Sequence, residues 1–187
     1  MCLFSRLYDL GVFVVPAFLD DATCGRLRAA MDSGRAASAE VYVDGYVVDE
    51  RVRRAFDVDV DPAIVDEVER ALDAVRGDVS RFFDTALTTM EGPGFLRYPP
   101  GGFYRAHRDR LDAEREEGLP RRVSAVLFLT CCEGGALRLH GVDAAGQPII
   151  ADIPPAAGTL VAFRSDVLHE VLPVIAGVRD AIVDWFY

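Results

Sequence analysis

The chain lacks any uninterrupted apolar run approaching the ~18 residues that a membrane-spanning helix requires, so no such helix is expected among its 187 residues. Its opening residues, Met1-Cys2-Leu3-Phe4-Ser5-Arg6, show no basic stretch followed by a long apolar segment. A secretory leader is therefore not expected, and a cytoplasmic address without membrane association is the default expectation. Cysteine is sparse, with Cys2, Cys24, Cys131 and Cys132 alone, and no CxxC pair or zinc-finger spacing to a histidine. That excludes a disulfide framework and a structural zinc site, and leaves reduced, mostly buried thiols. Net positive charge is also missing. A balance of −10 is the wrong sign for neutralising phosphates, so nucleic acid is not an expected partner. What remains is 51% hydrophobic and 27% charged, a profile typical of one globular domain large enough to bury a core.

The apolar pattern changes along the chain. Gly11-Val12-Phe13-Val14-Val15 reads as a short strand ended by Pro16, and Asp20 or Asp21 as the cap of a helix with Cys24, Leu27, Ala30 and Met31 on one face and Gly34 as its stop. Residues 41–48 are strand-like, with a turn at Asp44-Gly45. Arg51, Arg53 and Arg54 form a basic cluster. Asp61-Pro62 then marks the start of a long helix. Its apolar positions (Ile64, Val65, Val68, Leu72, Val75, Val79, Phe82, Phe83, Leu87) recur at helical spacing to about residue 88, with a bend or break allowed at Gly77. After Gly92-Pro93-Gly94 the pattern becomes short apolar runs divided by Gly and Pro, predicting strands near 94–98, 103–107, 122–130, 136–140, 149–153, 158–163, 167–172 and 179–187. Eight closely spaced strands predict a β sandwich or barrel. Asp112 to Pro120 reads as a charged connection. With no internal repeat or linker, one domain suffices: residues 1–93 as a supporting strand and helix region, and 94–187 as a β core.

Histidine is the scarcest functional side chain, with three copies: His107, His140 and His169. His107 precedes Asp109 by two residues, and on an extended backbone i and i+2 share a face. His169 stands in an apolar run, Val167-Leu168-His169-Glu170-Val171-Leu172, where a histidine needs a ligand or a partner. Two imidazoles and one carboxylate on one face of an ion, with the other positions open, is the donor set of non-haem Fe(II) oxygenases. A structural zinc site would be closed. Arg179 follows His169 by ten residues at the start of the last strand. A guanidinium pointing into a barrel there needs an anion. A dicarboxylic co-substrate would supply one through a bidentate pair, and an internal Asp or Glu is the competing partner.

These residues sit in segments that resemble the prolyl 4-hydroxylase-like family of Fe(II)/2-oxoglutarate-dependent dioxygenases. Tyr98-Pro99-Pro100-Gly101-Gly102-Phe103-Tyr104-Arg105-Ala106-His107-Arg108-Asp109 resembles the family's tyrosine–glycine–HxD segment. Arg122 to Thr130 is similar to its next core strand, Glu133-Gly134-Gly135 to its Gly-Gly strand entry, Gly158 to Phe163 to its glycine-led run, and His169 to Trp185 to its closing segment. The likeness covers residues 94–187 in order. It implies a mainly β, α+β fold, a double-stranded β-helix (jelly-roll) core packed against a long helix. It also implies a metal held by His107, Asp109 and His169, a 2-oxoglutarate distal carboxylate anchored by Arg179, and a co-substrate pocket lined by Tyr98. Phe128 departs from a tyrosine that many relatives carry, which leaves Arg179 with less help.

The activity that the resemblance implies is hydroxylation of an aliphatic C–H bond. Dioxygen and 2-oxoglutarate would be consumed and succinate and carbon dioxide released, with Fe(II) as the metal and ascorbate as an allowed accessory. Asp109 points away from halogenating relatives, which lack this carboxylate. Trp185 stands where nucleobase demethylases carry a second arginine. The expected substrate is a prolyl or other amino-acid residue of a peptide or protein. A free or carrier-bound amino acid handled by a tailoring hydroxylase is the alternative. Outside this class stand a non-redox cupin-like metalloenzyme and a non-catalytic binding module. Leu127, Leu137, Val161, Phe163 and Val171 are candidate dry walls of the site. Arg105, Arg138 and His140 are candidates for its mouth, and Arg51, Arg53 and Arg54 for contact with a carboxylate-bearing substrate.

Overall fold

The computed structural model describes residues 7, 9–42, 45–109, 120–143 and 145–187. Cys2, the Asp44 half of the expected turn and all but Pro120 of the charged connection fall outside these residues. Two helices, α1 (Asp21–Ser33) and α2 (Pro62–Phe82), accompany sixteen strands among the described residues. The strands are β1 (Phe13–Val15), β2 (Arg35–Ser38), β3 (Val41–Tyr42), β4 (Tyr46–Val47), β5 (Arg53–Arg54), β6 (Phe56–Asp59), β7 (Gly94–Tyr98) and β8 (Phe103–His107). They continue with β9 (Val123–Phe128), β10 (Glu133–Gly134), β11 (Leu137–Val142), β12 (Pro148–Ile153), β13 (Leu160–Arg164), β14 (Leu168–Val171), β15 (Val174–Ala176) and β16 (Arg179–Phe186).

A seven-stranded sheet runs β1-β13-β9-β16-β7-β6-β2, and a five-stranded sheet runs β12-β11-β14-β8-β5. The jelly-roll expectation holds, with the helices on the outer side of the larger sheet. Burial in β9 shows why. All six of its residues are buried, because the sheet is covered on both faces. Val123, Ala125 and Leu127 pack with Leu27, Met31, Leu72 and Val79 of the helices. Val126 and Phe128 join Leu137, Leu139, Val161 and Phe163 between the sheets. Each such apolar side chain contributes about 1.5–3 kcal/mol on burial. Leu127 therefore belongs to the helix layer, not to the wall of the site, because it points the other way from Phe128.

Helix α1 begins where Asp20 accepts from the Thr23 amide at 2.7 Å. At its C-terminal cap, Gly34, glycine is required for want of space, not for handedness. Gly34 has φ −77°, but a Cβ there would lie 2.3 Å from the Asp59 carbonyl oxygen of the neighbouring strand. Helix α2 starts on Asp61, which accepts from the Ala63 amide at 2.8 Å, and it runs unbroken through Gly77. It ends at Phe82, earlier than its periodicity suggests. Ser80 Oγ donates to the Thr85 carbonyl at 2.7 Å and Thr85 Oγ1 donates to the Phe83 carbonyl at 3.0 Å, closing the helix while Leu87 reaches the same core from an irregular segment.

Candidate functional site

The candidate metal site is built on a strand pair. His107 ends β8 and is the direct antiparallel partner of His169 on β14. Both imidazoles enter the space between the sheets, with ring centroids 4.2 Å apart. Asp109 lies just past the end of β8, where its backbone amide donates to the Ser165 carbonyl at 3.0 Å. Its two carboxylate oxygens lie 3.6 Å from His107 Nε2 and 3.5 Å from His169 Nε2. The ligand atoms of the three residues fall within 4.8 Å of one another. Among the described residues this is the one such group.

Hydrogen bonds fix the tautomers. His107 Nδ1 lies 2.8 Å from the Arg105 carbonyl, and His169 Nδ1 lies 2.9 Å from the Val167 carbonyl. A carbonyl only accepts, so each Nδ1 carries the proton and each Nε2 presents a lone pair to the shared centre. Burial drives the His169 pKa down to about 4, against the opposing pull of Asp109, so its neutral, ligating form prevails. For Asp109, burial works against the charge. The neighbouring imidazoles of His169 and His107 and the Ser124 hydroxyl outweigh it and hold the carboxyl below the usual range. Ser124 Oγ donates to Asp109 Oδ2 at 2.7 Å and lies 2.9 Å from Ser165 Oγ. Both serines are fully buried. Tyr104 stacks on the His107 ring at 3.6 Å, and the Phe163 ring meets His169 edge-on at 4.8 Å.

Arg179 opens β16, opposite Tyr98 of β7. It is 1% exposed, yet no carboxylate among the described residues pairs with it, and its buried Nε has no hydrogen-bond partner. Its guanidinium carbon lies 4.9 Å from the Tyr98 ring and 5.1 Å from the Phe128 ring. Two aromatic faces stabilise a desolvated cation in part, and an anion is the partner still wanted. The competing internal Asp or Glu is thus absent among the described residues. Together, a His-Asp-His donor set and an orphaned interior arginine fit a divalent iron and a dicarboxylate.

The structure separates the other candidates. Arg138 and His140 lie on the outer face of the smaller sheet, not at a mouth. Arg138 pairs bidentately with Asp152 at 2.7 Å, and His140 Nε2 lies 3.1 Å from Glu170. Alternation puts them opposite to Leu139, which is the register partner of His169. Leu137, Val161 and Phe163 do line the space between the sheets, and Val171 packs near Tyr98. Trp185 lies under the Arg121 guanidinium at 3.6 Å. Ser124, Ser165 and Tyr104 went unseen as site residues. A serine inside the apolar run of β9 was the one available signal, because a buried hydroxyl needs a partner.

Comparison with known proteins follows the same lines. The family model described as 2OG-Fe(II) oxygenase superfamily matches residues 93–187. A PKHD-type hydroxylase of Klebsiella pneumoniae (strain 342) is 39% identical over 120 residues, which is 61% of this chain and 51% of that protein. The chain thus spans about half the length of that relative. A Pseudomonas putida prolyl-4-hydroxylase structure superposes with a TM-score of 0.74 at 30% identity, covering 98% of this chain and 96% of its own. A Trichoplax adhaerens prolyl hydroxylase, solved with a hypoxia inducible factor peptide fragment, shares the fold at TM-score 0.76 and 20% identity, covering 99% and 87%. No helix among the described residues is long and apolar enough to cross a membrane.

Proposed function

The chain belongs to the 2OG-Fe(II) oxygenase superfamily, and from that premise we propose that it is an Fe(II)- and 2-oxoglutarate-dependent dioxygenase hydroxylating an aliphatic C–H bond of a prolyl or other amino-acid residue. The observation that carries this reading is the pairing of two features between the same two sheets: three side chains with metal-ligating atoms around a common centre, and a buried arginine whose Nε has no partner. A non-redox metal hydrolase would need no anion receptor, and a binding module would need no open coordination sphere. The prolyl hydroxylase names of the relatives support an amino-acid residue as target.

In this reading His107, Asp109 and His169 hold Fe(II), and Arg179 receives the distal carboxylate of 2-oxoglutarate, with Tyr98 and Phe128 walling its guanidinium. The bound metal and co-substrate supply the oxidation: dioxygen and 2-oxoglutarate are consumed, one oxygen atom leaves in succinate, carbon dioxide is released, and the other becomes the product hydroxyl. The chain's own part is positioning and exclusion of water. The Nδ1 bonds keep both imidazoles ligating, and Ser124 keeps Asp109 ionised and turned inward. Leu137, Val161, Phe163 and Val171 keep the space between the sheets dry. We propose residues 94–187 as the catalytic core of a single domain, with 1–93 as its support, and a cytoplasmic setting.

The test is anaerobic addition of Fe(II) and 2-oxoglutarate to the full chain. The expected result is a weak visible charge-transfer band, and succinate formation when dioxygen is admitted. Absence of both overturns the reading.

A further inference from the structure

The three clustered arginines part company in the fold. Arg51 is exposed and saturated by Asp49, with Nε to Oδ1 at 3.0 Å and Nη2 to Oδ2 at 2.9 Å. Arg54 is exposed and lies 4.0 Å from Glu50. Arg53 turns inward. It sits on β5, directly opposite Tyr104 of β8, with its guanidinium carbon 4.8 Å from the Tyr104 ring. That ring is the one stacked on His107. Arg53 therefore stands one aromatic ring away from a metal ligand, at the edge of the sheet that carries it.

Its hydrogen bonding is incomplete. One Nη donates to the Glu40 carbonyl at 2.9 Å, whereas Nε is buried with no partner. No carboxylate among the described residues lies within ion-pair distance. The Tyr98 phenol faces it as an electrostatic and hydrogen-bonding partner, and Asp57 and the Tyr104 phenol feel its charge, but Asp57 forms no ion pair with it. A guanidinium with one Nη tied to a carbonyl and its Nε unpartnered retains donors for a planar carboxylate. An interior cation left this way is costly unless something fills the edge.

We propose that Arg53 is the receptor for a substrate carboxylate, so that the site selects a substrate bearing an acidic group close to the carbon it hydroxylates. This rests on the oxygenase reading above. It also separates Arg53 from Arg179: one arginine takes the co-substrate, the other the substrate. Two sources share the chemistry, the terminal carboxylate of an amino acid or peptide end, and an acidic side chain beside the target residue.

The test uses the full chain with 2-oxoglutarate and Zn(II) in place of Fe(II), so that binding is read without turnover. Ligand-observed NMR would compare N-acetylproline with its carboxamide, and acetyl-Pro-Asp-amide with acetyl-Pro-Asn-amide. In at least one pair the carboxylate member binds about tenfold tighter or more, as a charge-assisted bidentate pair warrants. Which pair responds identifies the source. Arg53→Gln and Arg53→Met reduce the preference to near one, and the exposed control Arg51→Gln keeps it. Equal binding within both pairs, no binding in either, or a preference that survives in Arg53→Met overturns the proposal. Loss of the Fe(II)·2-oxoglutarate band in Arg53→Gln also overturns it, by assigning Arg53 to the co-substrate. A missing band in the unaltered protein sinks the oxygenase reading instead, and leaves the pairwise comparison readable.

Discussion

His107 and His169 are cross-strand partners in the β8–β14 ladder, so the candidate metal centre is a property of strand register. A slip of one residue would turn one imidazole to the outer face. Both rings are fixed by their Nδ1 bonds, and removal of either leaves a two-ligand set. His107→Ala should abolish the charge-transfer band formed anaerobically with Fe(II) and 2-oxoglutarate while the far-UV circular dichroism is unchanged. An unaltered band would remove His107 from the ligand set.

Arg179 combines burial with an unmet need for an anion, so its cost to the fold and its value to the site have the same origin. Arg179→Met should melt higher than the parent without ligand, since a buried unpaired charge gives way to an apolar chain of similar length. The parent should gain stability with 2-oxoglutarate, by about 2.7 kcal/mol at a hundred times Kd, and the variant should not. The check is thermal melting across a 2-oxoglutarate titration in the presence of Zn(II). Equal ligand-induced shifts in both proteins would contradict the anchor role.

Ser124 would act on a bound metal through Asp109. Loss of its hydroxyl frees Asp109 Oδ2 and removes a partner of Ser165. Partners of this kind are worth about 10–100-fold in metal affinity. Ser124→Ala should weaken Fe(II) binding by that order, measured by competition with a chelator, while Ser124→Thr restores part of it. Unchanged affinity in Ser124→Ala would show that Asp109 holds its orientation without help.

Much of this site was legible because its signals are local. The HxD spacing, an apolar strand interrupted by His169, and an arginine at the head of the last strand each follow from side-chain alternation. The eight expected strands from residue 94 onward agree with the structure to within two residues, because Gly and Pro punctuate them, while the short pair β10 and β15 is additional. Of the strands that extend the large sheet, β6 is marked by the alternation Phe56-Asp57-Val58-Asp59, whereas β2 is hidden. Arg35 to Ser38 are all exposed, so no apolar alternation marks them. The inward turn of Arg53 was hidden as well. Three arginines in four positions read as one solvated cluster, and only pairing of β5 with β8 decides which of them faces Tyr104. The faces of Leu127 and Arg138 cannot be read from the sequence, because a strand buried on both sides gives no alternation, and a charged residue fits a mouth and an outer face equally.

Asp184 provides a control on stability remote from the metal. It is fully buried beneath α2, and its Oδ1 accepts from the Gly92 and Trp185 amides at 3.0 and 2.7 Å, while its Oδ2 has no hydrogen-bond partner. Burial, reinforced by Glu91 and Glu69, pushes its pKa up to about 6. The folded state therefore retains a proton that the unfolded chain releases near pH 4. Stability from this group is highest below about pH 4, falls as pH rises through about 6, and stays reduced above it. Asp184→Asn keeps the acceptor for both amides and removes the ionisation. The variant should match the parent near pH 4 and exceed it at pH 7.5 by on the order of 2–3 kcal/mol, or several degrees in Tm for a chain of this size. Melting curves of both proteins across that range decide the matter. A difference that does not vary with pH would mean that Asp184 titrates alike in the folded and unfolded chain, the two amides offsetting the effect of burial.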